Sequence, residues 1–201
     1  KKYGVYFCPV AWTAPTGQGE IGQTNDYIYN LCQRHRDLCL GFWGCVDPWM
    51  GEEALKEAER CLRDFKALGI KFQQPSQKFH LSDPRFYPLW DLIASYNGFI
   101  QWHGGYTGVG TGMPGGGGIK ILEYTNPVDV DNVAADFPKL RIILMHICDP
   151  YTEAAELVAM HKGNVYRETS GYLPRYCPER ILHDINTRLQ TKFMFGSEYP
   201  Y

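Results

Sequence analysis

Two histidines and one glutamate stand at or just past the ends of short apolar runs. The runs are Phe99-Ile100-Gln101-Trp102-His103, Ile142-Ile143-Leu144-Met145-His146 and Phe193-Met194-Phe195-Gly196-Ser197-Glu198. Imidazole and carboxylate are ligands for zinc or manganese, and both groups carry protons at ordinary pH when their surroundings shift them. Short apolar runs bounded by glycine, proline or polar clusters read as buried parallel strands. In a parallel α/β architecture the chemistry gathers at the carboxyl ends of the strands. The three segments, distant in sequence, therefore point to one site. Cys148 follows His146 by two residues and would share its face on a strand. Its expected role is that of a small buried hydrophobe.

The elements that would carry these residues alternate along the chain. A first strand is expected over 5–8, a helix over 25–36 with Ile28, Leu31 and Cys32 on one side, and a strand over 38–46 ending at Asp47-Pro48. The clearest amphipathic helix covers 52–68, with Ala54, Leu55, Ala58, Cys61, Leu62, Phe65 and Leu68 facing inward and Gly69 as its stop. A strand over 70–73 follows, then a helix over 84–96 with Pro84 in its first turn, and the His103 strand. A helix over 128–137, the His146 strand, a helix over 152–161, a strand over 165–169, a helix over 178–190 and the Glu198 strand complete the order. About seven strands alternating with about six helices are the signature of a parallel sheet with right-handed crossovers. No linker, repeat or charge run divides the chain, so residues 1–201 form one domain.

Composition excludes several functions. The net charge is -2 and Lys and Arg are scattered, which leaves no basic stripe for nucleic acid. No apolar run approaches the roughly 18 residues that cross a bilayer, and Lys1-Lys2-Tyr3-Gly4 has no hydrophobic signal segment behind it. The expectation is a soluble, cytoplasmic protein whose partner is a small-molecule substrate, with homo-oligomerisation left open. The seven cysteines are odd in number and irregular in spacing, so they read as free thiols. Gly110-Thr111-Gly112-Met113-Pro114-Gly115 satisfies G-x-G-x-x-G, but Pro114 and further glycines keep it from being the tight strand-to-helix turn of a dinucleotide site. Residues 104–118 are instead expected to form a long, flexible loop over the active face.

Several segments together resemble the amidohydrolase-related family. They are Asp47-Pro48, Gly69-Ile70-Lys71-Phe72, Tyr87-Pro88-Leu89-Trp90, His103 before its glycine-rich loop, Val133-Ala134-Ala135-Asp136-Phe137-Pro138, Lys162-Gly163-Asn164-Val165-Tyr166 with Ser170-Gly171, and Phe195-Gly196-Ser197-Glu198-Tyr199-Pro200. That group includes aminocarboxymuconate-semialdehyde and resorcylate decarboxylases. The resemblance implies a (β/α)8 TIM barrel carrying one divalent metal ion, zinc or manganese. By position it makes His103 similar to the fifth-strand metal ligand, His146 to the sixth-strand catalytic histidine, and Glu198 to the eighth-strand acid, as ligand and proton carrier. The implied function is a metal-dependent hydrolase of a small carboxylate or aromatic substrate. Non-oxidative decarboxylation of an aromatic or unsaturated acid is the alternative, and a non-catalytic ligand-binding barrel or an inactive fragment is a third reading.

The chain departs from the family pattern in two ways. It has no His-x-His, and the strand over 5–8 is similar to the family's second, so the first-strand ligands are expected upstream of Lys1 and the barrel is expected to lack its first strand and last helix. Glu198 also stands where the family usually has aspartate. On this reading the chain alone holds metal weakly or not at all. Asp47 and Glu168 are expected to support the ligands through hydrogen bonds. Lys71 is expected to anchor strand or substrate, and bridging of two metals by a carboxylated Lys71 is the less favoured alternative. His80, Tyr106, Tyr172 and Arg175 are expected in loops on the site's side as substrate contacts, with Trp12, Trp49 and Tyr176 near them.

Overall fold

The computed structural model of the protein describes residues 4–19 and 22–199; Lys1, Lys2 and Tyr3 at the start and Pro200 of the last motif lie outside the described residues. Six strands form one parallel sheet in sequential order: β1 Trp43–Cys45, β2 Gly69–Phe72, β3 Phe99–Trp102, β4 Arg141–Leu144, β5 Val165–Glu168 and β6 Phe193–Met194. Helices α1 Pro15–Gln18 and α2 Asn25–Arg34 precede β1, and between the strands run α3 Glu52–Arg63, α4 Gln74–Gln77, α5 Tyr87–Ser95, α6 Ile121–Tyr124, α7 Val128–Asp136, α8 Thr152–His161 and α9 Glu179–Asn186. This is the strand-and-helix alternation of a TIM barrel, built here on six strands.

The expected seventh strand over 5–8 does not form. That segment contributes only isolated parallel bridges, Phe7 to Cys39 and Val10 to Trp43. Its side chains explain why: Val5 and Tyr6 are exposed, so the segment has no buried face to fix a register. The strand expected over 38–46 shortens to β1, because residues 35–38 form the turn that leaves α2. That turn also corrects the cysteine reading, since Cys32 and Cys39 are joined by a disulfide.

Helix α3 also ends earlier than its apolar pattern implies. Lys66 takes a left-handed conformation (φ 55°) and the Ala67 amide bonds back to the Cys61 carbonyl, which closes the end of the helix. Gly69 is therefore not the helix stop. It opens β2, where a Cβ would run into the Phe99 backbone of the neighbouring strand. Glu52 and Glu53 in the first turn of α3 and Arg60 and Arg63 in the last complement the helix dipole. Ala54, Ala58, Cys61 and Leu62 form its buried stripe.

The two faces of the sheet are chemically different. Ile70, Phe72, Ile100, Trp102, Ile142, Leu144 and Val165 point outward into the main core under the helices, with Trp90 and Phe79 between them. On the inward face Trp43, Ile143 and Met145 form an apolar cluster packed against Phe99 and Tyr166. Register then aligns Cys45, Lys71, Gln101, Ile143 and Tyr166 across five strands, two residues below the level of His103. Lys71 and Gln101 bring polar groups into the interior one layer below His103, while Arg141 at the amino end of β4 lies over the Phe99 ring.

Trp90 is fully buried and donates its indole N–H to the Leu81 carbonyl at 2.9 Å. Trp90→Ala should cost about 3–5 kcal/mol in urea unfolding, whereas Leu40→Ala, at a side chain 68% exposed, should leave the midpoint unchanged.

Candidate active site

His103 follows the last residue of β3, and His146 lies two residues beyond β4. Both are buried, and they meet: His146 Nε2 is 3.1 Å from His103 Nδ1, with the rings tilted edge to face. Each ring also faces a carbonyl on its other nitrogen. His103 Nε2 lies 3.1 Å from the Tyr106 carbonyl, and His146 Nδ1 lies 3.1 Å from the Ser170 carbonyl. A carbonyl can only accept, so each of these contacts is a hydrogen bond in the tautomer that places the ring proton on that nitrogen. Ser170 Oγ, 3.0 Å from His146 Nδ1, donates its own proton to Glu168 and so accepts there too.

The consequence is electrostatic. With neutral rings, both facing nitrogens present lone pairs at 3.1 Å, an arrangement that repels unless a proton or a cation lies between them. Protonation is disfavoured. Burial, then His146 and Lys71, holds His103 well below the usual histidine range, and burial followed by the Lys71 charge pulls His146 down to about 3. Neutral imidazoles whose outer N–H groups are tied to carbonyls are the form in which histidine binds metal. A divalent cation fits this pair chemically. Among the described residues, no three His, Cys, Asp or Glu side chains converge as a metal-holding group, so the pair supplies two donors and not a full set.

Glu198 lies outside the strand expected for it. Strand β6 ends at Met194, and Glu198 sits four residues later in a loop with φ 56°, its Oε2 3.6 Å from His146 Nδ1. It thus approaches the opposite nitrogen of His146 from the one that faces His103. Burial raises its carboxyl pKa, and Lys71 opposes the shift. The approach depends on Gly171, whose φ of +80° suits glycine and where a Cβ would overlap Glu198 Oε2. Glu168 takes the Ser170 amide and hydroxyl, and it too is raised by burial.

His103 is held in place by Gln74, a fully buried residue of α4. The Gln74 Oε1 accepts the His103 amide at 3.2 Å, and its amide nitrogen donates to the His103 carbonyl. The glycine-rich loop is tied down at its start, where Gly104 and Gly105 pack so closely on the backbone of residues 145–149 that neither could carry a Cβ. Beyond them it contains a short helical turn, Pro114–Gly118, and α6.

The other residues expected in the site are scattered. The Tyr106 side chain is exposed and bonded to Thr111; it is the Tyr106 carbonyl that reaches the site. Tyr172 is half-buried, and Arg175 is exposed over the Tyr176 ring. His80 pairs with Asp129 at 3.0 Å and packs at a tilt against Tyr124. Trp49 packs on Phe86, and Asp47 caps the turn Pro48–Met50 while binding Thr16. Sequence reasoning missed Gln74 and the Ser170 carbonyl. The Ser170-Gly171 pair after a strand was the available signal for the second.

Lys71 is buried on the inward face, and its only hydrogen-bond contact among the described residues is the Met145 sulfur at 2.7 Å. Burial pulls its ammonium down to about 8, against the pull of Glu198 and Glu168. The unfolded value is near 10.4, so the charged form opposes folding below about pH 8 and the penalty fades as pH rises toward 10.4. Lys71→Met should raise stability at pH 7 by about 3 kcal/mol, and thermal unfolding should show that gain disappearing by pH 10.5.

The family follows from the whole chain. Residues 14–201 match the model of the amidohydrolase family, described as Amidohydrolase, and the chain belongs to it. No curated protein matches. The fold is similar to an uncharacterised TIM-barrel protein from Bordetella bronchiseptica, with 22% identity, TM-score 0.79, and coverage of 95% of this chain and 64% of that one. It is also similar to 5-carboxyvanillate decarboxylase LigW from Sphingomonas paucimobilis, with 16% identity, TM-score 0.66 and coverage of 94% and 65%. A third similar structure is a dihydroxybenzoic acid decarboxylase from Polaromonas sp. JS666 with bound manganese and 2-nitroresorcinol, at 15% identity, TM-score 0.64 and coverage of 88% and 63%. The chain spans just under two thirds of the length of each. Among the described residues no helix is long and apolar enough to cross a membrane.

Proposed function

We propose that this chain forms the catalytic face of a metal-dependent enzyme that removes carbon dioxide from a small aromatic or unsaturated carboxylic acid. The observation that carries the metal dependence is the buried histidine pair itself, His103 Nδ1 and His146 Nε2 facing each other at 3.1 Å with a carbonyl on the far nitrogen of each ring. The reaction class is supported by the names of the similar structures, which include 5-carboxyvanillate and dihydroxybenzoic acid decarboxylases, one of them with manganese. A divalent ion bound at this pair, manganese or zinc, would supply Lewis acidity toward a substrate oxygen.

The chain's own residues account for the remaining requirements. His103 and His146 bind through the two facing nitrogens, and the Tyr106 and Ser170 carbonyls keep those nitrogens free of protons. Lys71 gives the interior a positive charge that favours an anionic substrate. Loss of carbon dioxide leaves an electron pair on carbon that must take up a proton. Glu198 is suited to deliver it, since burial raises its carboxyl and its partial exposure lets solvent recharge it. The carboxylate that results lies 3.6 Å from His146 Nδ1. In this reading Glu198 acts on the proton and not as the second metal ligand, while the hydrolytic reaction is the competing outcome of the assay.

Protein loaded with manganese and mixed with 2,6-dihydroxybenzoate should release carbon dioxide with no net consumption of water. His103→Ala should abolish the release, and Glu198→Gln should lower it by roughly 10²–10⁴-fold. Cleavage of acyl or amide substrates without carbon dioxide release would sink the decarboxylase and favour the hydrolase.

A further inference from the structure

His146 has a backbone conformation that its residue type does not favour. Its φ is 60°, and Cys148, two residues on, is also at 60°. Non-glycine residues rest in this region only where surrounding contacts hold them there. The contacts on His146 come from two successive residues of β5 whose side chains leave opposite faces of the strand. From the inward face, Glu168 Oε2 accepts the His146 amide at 3.4 Å. From the outward face, Arg167 Nη2 donates to the His146 carbonyl at 3.4 Å and to the Ile147 carbonyl at 3.2 Å.

Arg167 is an expensive residue for that position. It is fully buried, and no carboxylate lies within salt-bridge distance of it among the described residues. Its guanidinium stands 5.6 Å from the Phe193 ring and within electrostatic reach of Glu156, and among the described residues its Nε and Nη1 have no hydrogen-bond partner. Packing alone would be served as well by methionine. The Arg167 Nη2 group alone reaches two successive carbonyls, which an apolar side chain of the same size cannot do.

We infer that Arg167 and Glu168 form a two-sided clamp on the His146 peptide group, and that Arg167 is a positioning residue that aims the His146 ring at His103. The inference rests on the reading of the His103–His146 pair as the working site. The clamp explains why the carbonyl after His146 points to the outer core while the ring turns inward. It also matches the way Gln74 holds both backbone groups of His103, so that each histidine is fixed through its main chain by a neighbouring element.

The test uses the metal-free full chain, labelled with ¹⁵N at the backbone and at histidine. Wild type should show a protected His146 amide and a single His146 ring form protonated at Nδ1. Arg167→Met should keep the circular dichroism of the folded protein while His146 amide exchange rises at least tenfold and the ring signal shifts or splits. The His103 amide, held by Gln74, should stay protected, while the His103 ring, 3.1 Å from His146 Nε2, should respond with its neighbour, and Arg167→Lys should recover part of the wild-type signature. A folded Arg167→Met protein with both His146 readings unaltered overturns the clamp. If that variant does not fold, Arg167→Lys and Glu168→Gln are read in the same way, and unchanged values in both overturn it. Because no metal or substrate is present, failure of the decarboxylase reading would appear in the activity assay and leave these readings as they are.

Discussion

Two imidazole rings facing each other at 3.1 Å inside a protein, each with a carbonyl behind it, are the constraint around which this structure is arranged. With their protons turned to those carbonyls the facing nitrogens repel, and burial makes the simplest remedy, a further proton, costly. The arrangement persists because each ring is tied from behind. The Tyr106 carbonyl holds one and the Ser170 carbonyl the other, and both carbonyls come from loops that follow strands. The site therefore depends less on which side chains are present than on backbone groups brought close by the parallel order of the strands.

That order explains the division of labour between the faces of the sheet. Outward residues build an apolar core that fixes strand register, and a shift of one residue would turn His103 away from the interior. Inward residues change from aromatic and aliphatic to polar within two residues of the strand ends. Lys71 marks the border. It lies one layer beneath the histidines, destabilises the folded chain at neutral pH, and makes both rings harder to protonate. A residue that costs stability where it influences the site is what a functional interior is expected to contain.

Much of this was legible in the sequence. The runs ending near His103 and His146 are β3 and β4, and periodicity found α3 because its apolar face is strict. Segments failed where contact, not pattern, decides. Residues 5–8 have a strand's composition but no buried face, and α3 stops at a left-handed turn on Lys66 that no glycine announces. Glu198 was found by its place after an apolar run, yet its position is set by a loop and by the bare Cα of Gly171. The carbonyls that define the histidine tautomers were invisible, since main-chain groups leave no mark on residue type. The Cys32–Cys39 disulfide was hidden by the odd cysteine count, because five other cysteines are free.

The account stands or falls on what lies between His103 and His146. X-ray absorption at the metal edge of the manganese- or zinc-loaded chain measures this directly. The predicted spectrum contains outer-shell scattering from two imidazoles bound to one ion, with metal–nitrogen distances for zinc near 2.0–2.1 Å. A spectrum showing only oxygen neighbours, or one unchanged when both histidines are replaced, would contradict it.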